Sequence, residues 1–160
     1  MGKNILIVSS NKEMRKDLSK LLARDTKMLN IDADELLDFE LLNTQRVSIK
    51  EVGNLLKDVE REYVNRVANF KNCIITMSDK MFLADDHFKL LKDLNKIYIQ
   101  VAPKKVGKNA KKEEVYRAEQ ELLMYNEIDG LLSSLCDITI KADDKLSKLS
   151  QNIIYRLNNK

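Results

Sequence analysis

The sequence predicts a three-layer α/β/α domain built on a five-stranded parallel sheet. Three observations carry this. Short apolar runs recur along the chain, separated by segments with helical spacing, as in strands joined by right-handed helical crossovers. The runs are nearly continuous in β-branched and leucine residues, as expected of strands covered on both faces. The length of 160 residues, with 44% hydrophobic and 33% charged residues, suits a single globular domain over residues 1–160.

The elements follow in order. Residues 4–8, Asn-Ile-Leu-Ile-Val, read as the first strand. A helix over 11–24 carries Met14, Leu18, Leu21 and Leu22 three and four apart. A second strand over 28–31 precedes a helix from Asp34 to about Asn43. The longest helix, 48–70, repeats Val59, Tyr63, Val67 and Phe70 at helical spacing and opens with the Ser-x-x-Glu form of a capping box at Ser48. Strand 72–76, helix 85–94 and strand 96–101 come next, ending at Pro103. A basic, irregular loop with five lysines spans 104–112, and a helix covers 115–126. Strand 137–140 and helix 145–157 close the chain. In such folds ligands bind beyond the carboxyl ends of the strands, which selects the junctions 9–16, 32–35, 77–80 and 102–112.

Composition narrows the function classes. A net charge of +3, from 28 basic against 25 acidic residues, does not call for specific nucleic-acid binding. No stretch approaches a membrane span, and the N-terminus has no signal-peptide pattern, so the expectation is a cytoplasmic protein with no membrane partner. Cys73 and Cys136 read as buried, reduced cysteines in strands. Asp85, Asp86 and His87 read as an N-cap and solvated first turn, because adjacent residues do not converge on one metal ion.

At the junctions the chain resembles the shikimate kinase family, small P-loop phosphotransferases of nearly this length. Asn4-Ile5-Leu6-Ile7-Val8 is similar to the family's first strand, and Ile31-Asp32-Ala33-Asp34-Glu35-Leu36 to its Ile-Asp-Thr-Asp-Glu-Leu. Ser48-Ile49-Lys50-Glu51-Val52, Asn72-Cys73-Ile74-Ile75-Thr76, Ile97-Tyr98-Ile99-Gln100-Val101-Ala102-Pro103 and Cys136-Asp137-Ile138-Thr139-Ile140 follow in the family's order and spacing. The resemblance implies a shikimate-kinase-like fold, with residues 104–131 as a lid-like loop and helix. It also implies Mg-ATP as the cofactor of an active member.

The departures concentrate where phosphate chemistry would occur. A P-loop reads GxxxxGK and then Ser or Thr, so that glycine backbone can wrap the phosphates. Ser9, Met14, Arg15 and Lys16 stand at those four places, and no glycine occurs between Lys3 and Val52. Ser10-Asn11-Lys12-Glu13 has the capping-box form, so the helix is expected to cap itself from Ser10, with Glu13 repelling a nucleotide's anion. Met77-Ser78-Asp79 stands where the family has three glycines, Val64 and Ile128 fall near its substrate arginines, and the lid lysines lack its Arg-Pro pattern.

Two carboxylates survive. The resemblance assigns Asp32 toward magnesium and Asp34 toward substrate hydroxyls, so Asp34 is the catalytic candidate and Asp32 the metal candidate if the chain is active. The structural alternative is that Asp32, with Glu35, caps the following helix. Lys12, Arg15 and Lys16 are the candidates for holding phosphate. The reading reached is a catalytically degenerate member kept for binding or assembly, with an unknown protein or small metabolite as partner and no cofactor. The alternative is an active ATP-dependent phosphotransferase with an atypical phosphate loop.

Overall fold

The computed structural model describes residues 4–36, 49–143 and 145–159. The strands are β1 (Ile5–Val8), β2 (Leu29–Asp32), β3 (Cys73–Met77), β4 (Asn95–Gln100) and β5 (Ile138–Lys141). All pairings are parallel, in the order β2-β3-β1-β4-β5. The helices are α1 (Lys12–Thr26), α2 (Ile49–Val67), α3 (Asp79–Leu83), α4 (His87–Leu90), α5 (Lys112–Leu135) and α6 (Leu146–Asn158). No helix among the described residues is long and apolar enough to cross a membrane.

The two-residue period of the strands divides the core. Ile5 and Ile7 join Ile74, Ile97 and Ile99 in a layer completed by Leu18 and Leu22 of α1 and Leu149 and Ile153 of α6. Leu6 and Val8 face the other way, onto Tyr63, Val64 and Val67 of α2, Phe82 of α3 and Leu132 of α5. Every residue of β1 is fully buried, which accounts for its continuous apolar sequence. Full burial of each such side chain is worth about 1.5–3 kcal/mol, so both layers are held to this central strand.

The expected strands are all present, most displaced by a residue. The helices differ more. Residues 33–36 are helical, while the rest of the helix expected to Asn43 and the Ser48 cap lie outside the described residues. The helix expected over 85–94 is instead two short pieces joined by a 3-10 turn, Ala84–Asp86. Asp85 and Asp86 take left-handed φ of 48° and 57°, which breaks the helix between Leu83 and His87. The helix expected over 115–126 extends over 24 residues, Lys112–Leu135. Its C-terminal part is packed on the sheet through Leu132, so Gly130 is carried within it.

Candidate functional site

The turn after β1 is closed by its own side chains. Ser9 is fully buried; its amide donates to the Met77 carbonyl at 3.3 Å and its Oγ accepts from the Asn11 amide at 3.3 Å. Asn11, not Ser10, is the N-cap of α1: its Oδ1 accepts from the Met14 amide at 3.0 Å. The capping box expected from Ser10 and Glu13 therefore does not form. Asparagine caps as well as serine, and the buried Ser9 fixes the backbone one residue too early for Ser10 to reach. Glu13 still sits in the first turn, where its charge favours the helix dipole.

Arg15, at the place of the phosphate-binding lysine, is drawn into the domain. It begins the buried stripe Arg15, Leu18, Ser19, Leu22 along α1. Its Nη1 donates to the Ser9 carbonyl and its Nη2 to Asp34 Oδ2, each at 2.7 Å. The arginine side chain is 4% exposed and the aspartate's 25%. Nε is buried without a hydrogen-bond partner. Lys16 reaches Glu35 at 3.5 Å on the surface, and Lys12 is exposed in the first turn. Of the three cationic candidates, Arg15 and Lys16 are thus paired with Asp34 and Glu35, and Lys12 is exposed.

Both surviving carboxylates are engaged. Asp32 Oδ1 accepts from the amides of Asp34 at 2.9 Å and Glu35 at 3.4 Å, the cap expected of it. Asp34 is the counter-charge of Arg15. Behind them the Tyr63 hydroxyl donates to the Thr76 carbonyl at 3.4 Å. Burial, then the charges of Asp32 and Asp34, drive the pKa of that hydroxyl far up, so it acts as a neutral donor. Among the described residues no three His, Cys, Asp or Glu side chains converge as a metal site would require.

After β3, Met77 is fully buried in the core rather than open to a ligand. Ser78 Oγ accepts from the Met81 amide at 3.1 Å and caps α3, and Asp79 Oδ1 accepts from the Lys80 amide at 2.9 Å. Val64 is fully buried in the core; Ile128 packs against the same core from a half-buried position and also lines the cleft at the ends of the strands. His87 corrects the expectation of a solvated turn. Asp85 and Asp86 are exposed, but His87 is fully buried with Nδ1 2.7 Å from the Met81 carbonyl. The φ > 0 residues before it turn the chain inward.

The segment after β4 is tied down by a group the sequence did not single out. Asp129 Oδ1 of α5 accepts from the Tyr98 hydroxyl at 2.8 Å and from Gln100 Nε2 at 2.9 Å. Tyr98 and Gln100 lie on one face of β4, two residues apart, and this alternation was the available signal. Burial, then the Asp129 hydrogen bond and charge, hold the Tyr98 hydroxyl far above its ordinary pKa. Between this network and the starts of α1 and α3 opens a cleft of about 390 Å³, lined by Ser10, Asn11, Asp79, Pro103 and Tyr125 among others. Cys73 is buried and Cys136, at the end of α5 rather than in a strand, is half-buried; both are free thiols. Burial pushes the Cys136 thiol up to about 12 against the opposing charge of Lys96.

An all-parallel sheet in this order, with the cleft at its carboxyl ends, defines the class of small-molecule P-loop kinase folds. Within that class, the model of the shikimate kinase family matches residues 16–158, and the chain belongs to that family. A shikimate kinase from Moorella thermoacetica is 29% identical over 112 residues, 69% of this chain; the match spans 65% of that relative's length. Shikimate kinase from Acinetobacter baumannii, solved with shikimate, superimposes with a TM-score of 0.73 at 18% identity, covering 99% of this chain and 94% of that one. That from Bacteroides thetaiotaomicron gives 0.71 at 14% identity, with 99% of each chain covered.

Proposed function

We propose that this chain is a member of the shikimate kinase family that binds rather than phosphorylates. The observation that carries the reading is Arg15. A side chain at the phosphate-binding place is spent on the Ser9 carbonyl and on Asp34, which closes the turn a nucleotide would enter. The local backbone supports the same conclusion. The Asn11 and Met14 amides, which a phosphate would otherwise receive, are satisfied by Ser9 Oγ and Asn11 Oδ1. Without glycine over residues 9–16, the turn cannot open into a cradle at low cost. These residues do not fit a Mg-ATP phosphate chain, and no step is routed through one. The partner is a protein or small metabolite.

One observation favours a second reading. Asp32 and Asp34 stand at the end of β2 beside the start of α1, the arrangement an active phosphotransferase on a hydroxylated small molecule would need. In that reading Asp34 meets the substrate hydroxyl, Asp32 faces magnesium, and Lys12, Arg15 and Lys16 neutralise phosphate. The Arg15–Asp34 pair must then open on every turnover. A coupled assay with shikimate and ATP separates the two. No turnover above background is the expected result; turnover abolished by Asp34→Asn would establish the second.

A further inference from the structure

Residues 102–106 and the first half of α5 enclose a second groove, of about 400 Å³. Its wall is aliphatic and open to solvent: Val106 is 42% exposed, Val115 36% and Leu122 49%. Lys104 and Lys105 line it, and Lys108, Lys111 and Lys112 continue the same loop without an acidic residue until Glu113 and Glu114 in the first turn of α5, neither of which lines the groove. None of the five lysines pairs with a carboxylate among the described residues. Against them the groove presents one carboxylate, Glu119. The adjoining faces of α5 also expose Tyr116, Leu123 and Met124, while Leu132 is its one fully buried apolar residue. A helix apolar on several faces is normally a covered one.

We propose that this groove docks an acidic amphipathic peptide segment of a partner protein, its apolar side chains against Val106, Val115 and Leu122 and its carboxylates against Lys104 and Lys105. Charge complementarity selects this occupant, because an unpaired run of five lysines beside an apolar floor attracts acidic partners and rejects basic ones. Single-stranded nucleic acid would need aromatic stacking faces, and the groove has an aliphatic lining. Between Val115 and Leu122 the helix runs about 10 Å, room for two turns of a bound helix. The proposal takes the existence of a partner from the binding reading above; its groove shares Ala102 and Pro103 with the cleft beside the closed turn but contains no residue of the turn itself.

The test is a selection from a random-peptide display library on the purified full chain, followed by fluorescence anisotropy with the enriched peptide. The expected result is a consensus combining apolar residues at i and i+3 or i+4 with Asp or Glu beside them. Lys104→Glu with Lys105→Glu, and separately Leu122→Asp, should each weaken binding by about tenfold or more in proteins whose circular dichroism melts match the native chain. Substitution of the exposed Lys20 of α1, Lys20→Glu, should leave it unchanged, and added salt should weaken it. Failure to enrich any sequence, enrichment without acidic residues, or affinity indifferent to the groove variants would overturn the proposal. So would self-association lost in Leu122→Asp, or binding to phosphatidylserine vesicles or single-stranded DNA that excludes the peptide. Saturable Mg-ATP binding alongside peptide docking would defeat the proposed function and leave the docking site standing.

Discussion

Arg15 Nη2 stands 2.7 Å from Asp34 Oδ2, joining the first turn of α1 to the turn after β2. The same guanidinium donates to the carbonyl of Ser9, so one side chain ties together the exits of β1 and β2. A guanidinium buried at this point needs its counter-charge, because an unpaired buried ion is far costlier than a paired one. The pair therefore contributes to the fold.

Asp34→Ala should destabilise the chain by about 2 kcal/mol, less than for a fully buried pair because the carboxylate keeps some contact with water. A double-mutant cycle with Arg15→Met should give a coupling of about 1–3 kcal/mol by urea unfolding. Additive effects would show that the two groups do not depend on each other.

The caps at the start of α1 separate two neighbouring residues. Asn11→Ala should cost about 1 kcal/mol, whereas exposed Ser10→Ala should stay within about 0.5 kcal/mol. Equal losses from the two would move the cap back to Ser10.

The sequence made the sheet legible and left the pairings hidden. β1 and β3 were readable because both faces are buried, which gives a continuous apolar run in β1 and one broken only by the buried Thr76 in β3. The place of Arg15 was readable from the family resemblance, but its bond to Asp34 crosses nineteen residues and depends on how α1 lies against β2. The left-handed Asp85 and Asp86 left no trace, since non-glycine residues seldom adopt that backbone, and His87 was consequently placed outside the core. The full extent of α5 was hidden because its apolar residues are spread round the helix and give no clear stripe.

Asp129 is the anchor of α5 on β4. Asp129→Ala leaves the buried Tyr98 hydroxyl without its acceptor and should cost about 1–3 kcal/mol. Native-state hydrogen exchange should quicken in the N-terminal half of α5, which lacks buried apolar residues of its own. Unchanged protection there would mean that the helix is held elsewhere.

Glu60 gives a pH signature. Burial raises its pKa above the ordinary carboxylate value, with His87 opposing and Asp85 adding to the rise. A carboxyl whose folded pKa is raised contributes stability that is complete below its unfolded pKa and is lost as pH rises through the folded value. Glu60→Gln should therefore gain stability relative to the native chain as pH rises from that of an ordinary carboxylate toward neutrality. Parallel stability profiles for the two proteins would remove Glu60 as the source.

Whether the turn over residues 9–16 accepts phosphate is tested most directly by calorimetric titration of the native chain with Mg-ATP. With Arg15 held by Ser9 and Asp34, and the Asn11 and Met14 amides already bonded, the titration should show no saturable heat into the millimolar range. The melting temperature should likewise stay fixed at the same concentrations. A saturating isotherm in the native chain, lost when Lys12 and Lys16 are both replaced by alanine, would contradict the account.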